Sequence, residues 1–119
     1  MNTRPNSQIL RTVSVIALVA VFVLALLPPP PVPEVMNSQD KAGHFMAFVG
    51  LGLLGLTAWP RHAKTLVVAL LAYGALIEVA QMLSALRQAE LLDWLADAAG
   101  VATAIVLWTL GRRATAASQ

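Results

Sequence analysis

Eight polar residues, grouped in short segments of an otherwise apolar sequence, are the candidates for chemistry. They are Asp40, Lys41, His44, Glu78, Gln81, Arg87, Asp93 and Asp97. Residues three or four apart share one face of a helix, so Glu78 lies beside Gln81, and Asp93 beside Asp97, if both segments are helical. Packing these segments together would bring the side chains into one polar pocket.

The residue types in this pocket suit two kinds of chemistry. Lys41, His44 and Arg87 are suited to an anionic ligand, because cationic donors form strong hydrogen bonds to phosphate and carboxylate groups. His44 and Glu78 are the candidates for acid–base catalysis, since imidazole and carboxyl groups are common proton carriers. Whether the protein is an enzyme stays open.

Each pocket residue also has a structural interpretation. Glu78 either binds a ligand or a proton, or pairs with Lys41 or Arg87, and His44 either acts in the pocket or only marks the start of a helix. Gln81 is expected to form a hydrogen bond between helices. Arg87 either binds an anion or extends to the membrane interface, and Asp93 either lines the pocket or caps a helix.

Metal and cofactor chemistry is the minor alternative. His44, Glu78, Asp93 and Asp97 are suitable metal ligands by type, but no HExxH-like spacing is present. We therefore predict no metal and no other cofactor. The absence of cysteine excludes disulfides and thiolate sites. A net charge of only +2, without a long basic run, argues against nucleic acid as a partner.

The elements that position these residues are four apolar stretches, expected as helices. Their predicted limits are about 9–27, 42–59, 65–83 and 92–110. A membrane-spanning helix needs about 20 apolar residues, and only 12% of the chain is charged, against about 25% in typical soluble domains. The sequence thus predicts an all-α membrane protein, a single domain over residues 1–119 with about four transmembrane helices.

Basic residues in front of the first stretch also resemble a signal peptide. No A-x-A cleavage site follows, and the chain instead reaches a run of prolines, residues 28–31 and 33, that cannot continue a helix. We therefore expect a retained first helix followed by an extended connector.

The basic residues predict the orientation of the four helices. If the four helices cross the membrane one after another, six basic residues fall on the same side of it: Arg4, Arg11, Arg61, Lys64, Arg112 and Arg113. Only Lys41 and Arg87 fall on the other. Because cytoplasmic loops are enriched in Lys and Arg, we expect a multi-pass protein of the bacterial cytoplasmic (inner) membrane with both termini inside. The polar pocket then lies at the outer interface.

The same residues carry a resemblance to a known family. The run from Asp40 to Phe45 (DKAGHF), the pair Glu78 and Gln81, then Arg87, and the run from Asp93 to Gly100 (DWLADAAG) resemble, in this order, the motifs of the VanZ-like family. The resemblance implies a small integral membrane protein of the cell envelope, whose namesake is linked to resistance to the glycopeptide antibiotic teicoplanin. It implies no particular reaction. Asp97 stands where the family pattern usually has asparagine, so its charge needs a proton, a bound cation, or a partner such as Lys41 or Arg87.

Three functions are compatible with this sequence. The favoured one is the binding or processing of an anionic membrane lipid, or of a lipid-linked cell-wall precursor, in the outer pocket. A structural or accessory membrane subunit is the alternative, and a proton-coupled transporter using Glu78 and Asp97 is a third. Four helices can bury their own polar face, so we expect a monomer or a small homo-oligomer.

Overall fold

The computed structural model describes residues 5–28, 37–84 and 91–118, and these form a bundle of four helices. The helices are α1 (Pro5–Leu26), α2 (Asn37–Ala58), α3 (Ala63–Ser84) and α4 (Leu91–Ala117), with a short 3-10 turn at Pro60–His62 between α2 and α3. The described part of the chain contains no strand, and the all-α prediction is confirmed. All four helices are long and apolar enough to cross a membrane.

Prolines set the ends of two helices. Pro60 has no N–H to offer the carbonyl of Leu56, so α2 ends at Ala58 and the chain enters the 3-10 turn. At the end of α1, Pro28 likewise offers no N–H to the carbonyl of Leu24, which instead accepts from the amide of Leu27 at 3.3 Å. The positions of Pro28 and Pro60 in the sequence therefore determine where α1 and α2 end.

The helices alternate in direction, so that α1 and α3 run one way and α2 and α4 the other. Tyr73 of α3 donates to the carbonyl of Leu18 on α1, while Gln81, further along α3, reaches the end of α1 at Ala25. The most extensive packing is between α2 and α4. The central core consists of Phe48, Leu51, Leu70, Ile77 and Val101.

Small residues bring α2 and α4 close together. A Cβ atom added at Gly100 would lie 2.5 Å from the carbonyl oxygen of Phe45, and one at Gly52 would lie 2.5 Å from Cβ of Ala104. The backbones can approach this closely only because Gly100 and Gly52 have no side chain. Gly100 and Ala104 of α4 therefore lie at the closest approach of α4 to α2.

Three helix limits differ from expectation. Helix α1 begins at Pro5 rather than near residue 9, α2 begins at Asn37 rather than near residue 42, and α4 continues to Ala117 rather than ending near residue 110. Apolarity marks the part of a helix that suits lipid, but the helix itself can continue into water, because its backbone hydrogen bonds are internal. Gly43 of α2 does not take part in close helix packing, since nothing lies within 4 Å of a Cβ placed there.

Candidate functional site

A hydrogen bond between a histidine and a fully buried carboxylate forms the centre of the site. Nδ1 of His44 lies 2.9 Å from Oδ1 of Asp97, and Asp97 is 0% exposed. If Asp97 is ionised, its carboxylate only accepts, so the ring then donates from Nδ1 and turns Nε2 toward Asp93. The bond joins α2 to α4 where the two helices pack most extensively.

Asp93 forms a second layer of the site, one turn before Asp97 on α4. Its Oδ1 lies 3.6 Å from Nζ of Lys41, and its Oδ2 lies 3.9 Å from Nε2 of His44. Asp93 is 4% exposed, and it lies in the first turn of α4, where a negative charge also complements the helix dipole. Both interpretations of Asp93, as a pocket residue and as a residue at the helix N-terminus, fit this position.

Helix α3 closes the site from a third side. His44, Glu78 and Asp97 each present one possible ligand atom, and these atoms all lie within 4.8 Å of one another. Gly74 lies one turn before Glu78 on the same face of α3. A Cβ at Gly74 would come within 3.0 Å of Oδ2 of Asp97, so this glycine makes room for the buried carboxylate.

Two hydrogen bonds fix the helices around the cluster. The indole Nε1 of Trp94 donates to the carbonyl of Leu71 at 3.1 Å, which joins α4 to α3. Nε2 of Gln81 donates to the carbonyl of Ala25 at 2.9 Å. That carbonyl sits four residues before Pro29, which has no N–H to satisfy it. The expectation that Gln81 links two helices is therefore confirmed.

The cluster lies near one end of the bundle, and the exposure of its side chains decreases with distance from that end. The side chain of Lys41 is 27% exposed and that of His44 is 10% exposed, while that of Asp97 is fully buried. Asp97 is six residues after the start of α4, about 9 Å along the helix axis at 1.5 Å per residue. The site is thus about two turns deep, with Lys41 at its mouth.

The structure brings together most of the predicted pocket. Lys41, His44, Glu78, Asp93 and Asp97 converge, whereas Gln81 faces α1 and serves packing. Arg87 lies outside the described residues, and so does the side chain of Asp40, whose backbone belongs to the first turn of α2.

Among the described residues, the partner of Asp97 is His44, whereas Lys41, one of the expected partners, faces Asp93 instead. The other expected alternatives, a proton, a bound cation or Arg87, stay predictions, because Arg87 lies outside the described residues. Lys41 begins one turn closer to the end of the bundle than His44, so its ammonium meets the shallower carboxylate first.

Two residues that matter to the site were not among the predicted ones. Gly74 makes space for Asp97, and the indole of Trp94 joins α4 to α3. A glycine one turn from an acidic residue on an apolar helix is the signal that could have indicated Gly74.

The arrangement has two chemical capacities. A carboxylate that holds Nδ1 of an imidazole orients the ring and directs Nε2 toward Asp93, and imidazole groups can carry a proton near neutral pH. In addition, one imidazole and two carboxylates whose possible ligand atoms lie within 4.8 Å of one another can hold a cation.

The family model described as VanZ/LLP1 matches residues 2–112, which include all of the site residues and nearly the whole bundle. This range extends on both sides of the motifs that resemble the VanZ-like family. No curated protein and no solved structure matches the chain.

Proposed function

This chain belongs to the VanZ/LLP1 family, and from its site we propose that it binds the polar headgroup of an anionic membrane lipid or lipid-linked cell-wall precursor. The shared chemistry of these ligands is a phosphate ester on an apolar tail. The observation that carries the proposal is the decrease in exposure across the cluster. A partly exposed lysine leads to a buried His44–Asp97 pair at the end of an apolar bundle.

The surroundings of the cluster suit an amphiphile. Large apolar side chains on the flanks of the bundle are exposed, among them Met82 at 65% and Leu83 at 80% on the last turn of α3. A lipid tail can lie along such a flank while its headgroup reaches the polar end, because both parts then keep the environment each prefers. On the orientation expected from the basic residues, the headgroup would come from the outer leaflet.

The alternative is an accessory membrane protein whose cluster only holds the helices together. One observation favours it: His44, Trp94 and Gln81 each bond to a group on another helix. Proton-coupled transport gains less support, since the described core beneath the cluster consists of apolar residues.

The chain offers a matched pair of lysines for the test, because Lys41 and Lys64 are its only two. Lys41 lies at the cluster, whereas Lys64 is exposed near the start of α3 at the opposite end. The protein is purified in mild detergent, and the lipids that remain bound are identified and quantified by mass spectrometry. We expect about one anionic lipid per chain in the unmodified protein, at least 10-fold less in Lys41→Gln, and no change in Lys64→Gln.

The identity of the retained lipid separates a bulk phospholipid from a lipid-linked precursor. Lys41→Gln separates the two proposed roles, because it removes the positive charge at the cluster and keeps most of the side chain's length. Loss of the lipid from a folded Lys41→Gln protein supports binding. If every variant retains the same lipids and only the melting temperature falls, the result supports the accessory role and contradicts the headgroup proposal.

A further inference from the structure

We propose that His44, Glu78 and Asp97 form a binding site for a divalent transition-metal cation, Zn²⁺ above all. The three residues come from α2, α3 and α4, and their nearest possible ligand atoms lie within 4.8 Å of one another. One imidazole and two carboxylates are a donor set that Zn²⁺ accepts. Three protein ligands leave its fourth position for water or an exogenous group.

The carboxylate of Asp97 is the independent observation that points to a cation. Asp97 is 0% exposed, and His44 accounts only for Oδ1. Among the residues that the structure describes, no group donates a hydrogen bond to Oδ2. A buried carboxylate oxygen without a donor is costly, and a bound cation would supply the missing positive charge.

The second oxygen of Asp97 faces the helix that carries Glu78. Oδ2 lies where a Cβ of Gly74 would be 3.0 Å away, and Gly74 and Glu78 share one face of α3. Three ligand atoms around a tetrahedral Zn²⁺ at about 2.0–2.2 Å stand roughly 3.4 Å apart. A rotation of the Glu78 side chain, the longest and most flexible of the three, would close the remaining distance.

The charge of the cluster gives this cation a role. Among the described residues, the carboxylates of Glu78 and Asp97 favour a cation, whereas Lys41 at the outer edge of the cluster is the group suited to a phosphate. A Zn²⁺ with an open position would add a second positive group that can bind a phosphate oxygen directly. Metal binding is independent of any lipid, and only this role for the metal rests on the proposed function.

The experiment measures metal on the full chain in detergent, after removal of the affinity tag and of adventitious metal by a chelator. Zn²⁺ is added back, and bound metal is counted by equilibrium dialysis with elemental analysis. Calorimetry gives the affinity. We expect one Zn²⁺ per chain and a higher melting temperature with Zn²⁺ than without. Mg²⁺ should bind more weakly, since it prefers oxygen ligands alone.

The two histidines of the chain provide the matched control. His44→Gln should weaken Zn²⁺ binding at least 10-fold, whereas His62→Gln should leave it unchanged, because His62 is exposed in the turn at the other end of the bundle. Glu78→Gln and Asp97→Asn should each weaken binding by a similar factor. Helical circular dichroism and a single gel-filtration peak verify that each variant is folded. If one of the three site variants is not folded, the comparison with His62→Gln uses the remaining site variants.

Failure of the unmodified protein to bind Zn²⁺ stoichiometrically overturns the proposal, and so does an equal loss in His44→Gln and His62→Gln. Lipid retention without metal binding would refute the metal site and leave the headgroup proposal standing. Metal binding without a specific lipid would do the reverse.

Discussion

At the scale of single residues, Asp97 is the most deeply buried polar side chain among the residues that the structure describes, so it depends most on its hydrogen-bond partners. It is fully buried, and one hydrogen bond from His44 at 2.9 Å serves one of its two oxygens. Removing one partner of a buried hydrogen bond leaves the other group unsatisfied, which costs more than the bond itself contributes. The stability of the end of the bundle that holds the cluster should therefore depend strongly on His44.

Replacing His44 by alanine is expected to lower the free energy of unfolding of the metal-free protein by roughly 1–3 kcal/mol, the range for leaving a buried acceptor without its hydrogen-bond donor. The same change at the exposed His62 should stay within about 0.5 kcal/mol. Unfolding in detergent, followed by circular dichroism during titration with sodium dodecyl sulfate, measures both. Equal midpoints for the two variants would show that the His44–Asp97 bond contributes little.

At the scale of helices, close approach of α2 and α4 sets the geometry of the site. His44 meets Asp97 one turn before Phe48 meets Gly100, so both contacts belong to the same seam. A wider separation of the two helices would lengthen the hydrogen bond as well. The contact at Gly100 therefore affects both the packing of α2 against α4 and the length of the His44–Asp97 hydrogen bond.

Gly100→Ala is expected to destabilise the protein by about 1–3 kcal/mol, because the added methyl group would overlap the backbone of α2. Gly111→Ala is the matched control, since a Cβ there meets open space on the same helix. It should be neutral or stabilising by up to about 1 kcal/mol through helix propensity. The same detergent titration measures both variants, and equal stability would contradict the close contact.

The end of α1 depends on another helix, because the prolines after Leu27 withhold the amide groups that would satisfy its last carbonyls. Gln81→Leu removes the donor to the carbonyl of Ala25 while keeping a similar volume. We expect a loss of about 0.6–1.7 kcal/mol, the range for hydrogen bonds between membrane helices. Met82→Leu, at an exposed neighbour, should change nothing measurable. A Gln81→Leu variant as stable as the unmodified protein would show that this bond is dispensable.

At the scale of the whole molecule, charge is divided between the two ends of the bundle. The acidic cluster lies at one end, and arginines stacked on tryptophans lie at the other. Arg11 lies 5.8 Å from the ring centroid of Trp59, and Arg112 lies 4.7 Å from that of Trp108. Basic and aromatic residues together are typical of a cytoplasmic membrane interface.

This division predicts that both termini lie in the cytoplasm. A reporter active only in the cytoplasm should give a signal when fused after Gln119 or inserted in the turn at Pro60–His62. A reporter active only outside should give a signal at Pro31, between the first two helices. A cytoplasmic signal from the Pro31 fusion would refute the orientation.

The sequence by itself determined the number of helices, most of their ends, and that polar residues of α2, α3 and α4 come together near one end of the bundle. Helix formation in lipid is dictated locally, because each apolar segment must satisfy its own backbone hydrogen bonds. The cost of placing Asp97 or Glu78 in lipid likewise requires them to turn inward, whatever their partners. These conclusions need only composition, spacing and the positions of proline.

Only the tertiary structure decided which acid faces which base. His44 pairs with Asp97 and Lys41 with Asp93 because α2 and α4 run in the same direction and touch at Gly100, which fixes their relative height and rotation. Shifting one helix by a single turn would exchange these partners without altering either sequence pattern. The choice therefore depends on backbone contacts between segments about 50 residues apart, and spacing along the chain carries no record of them.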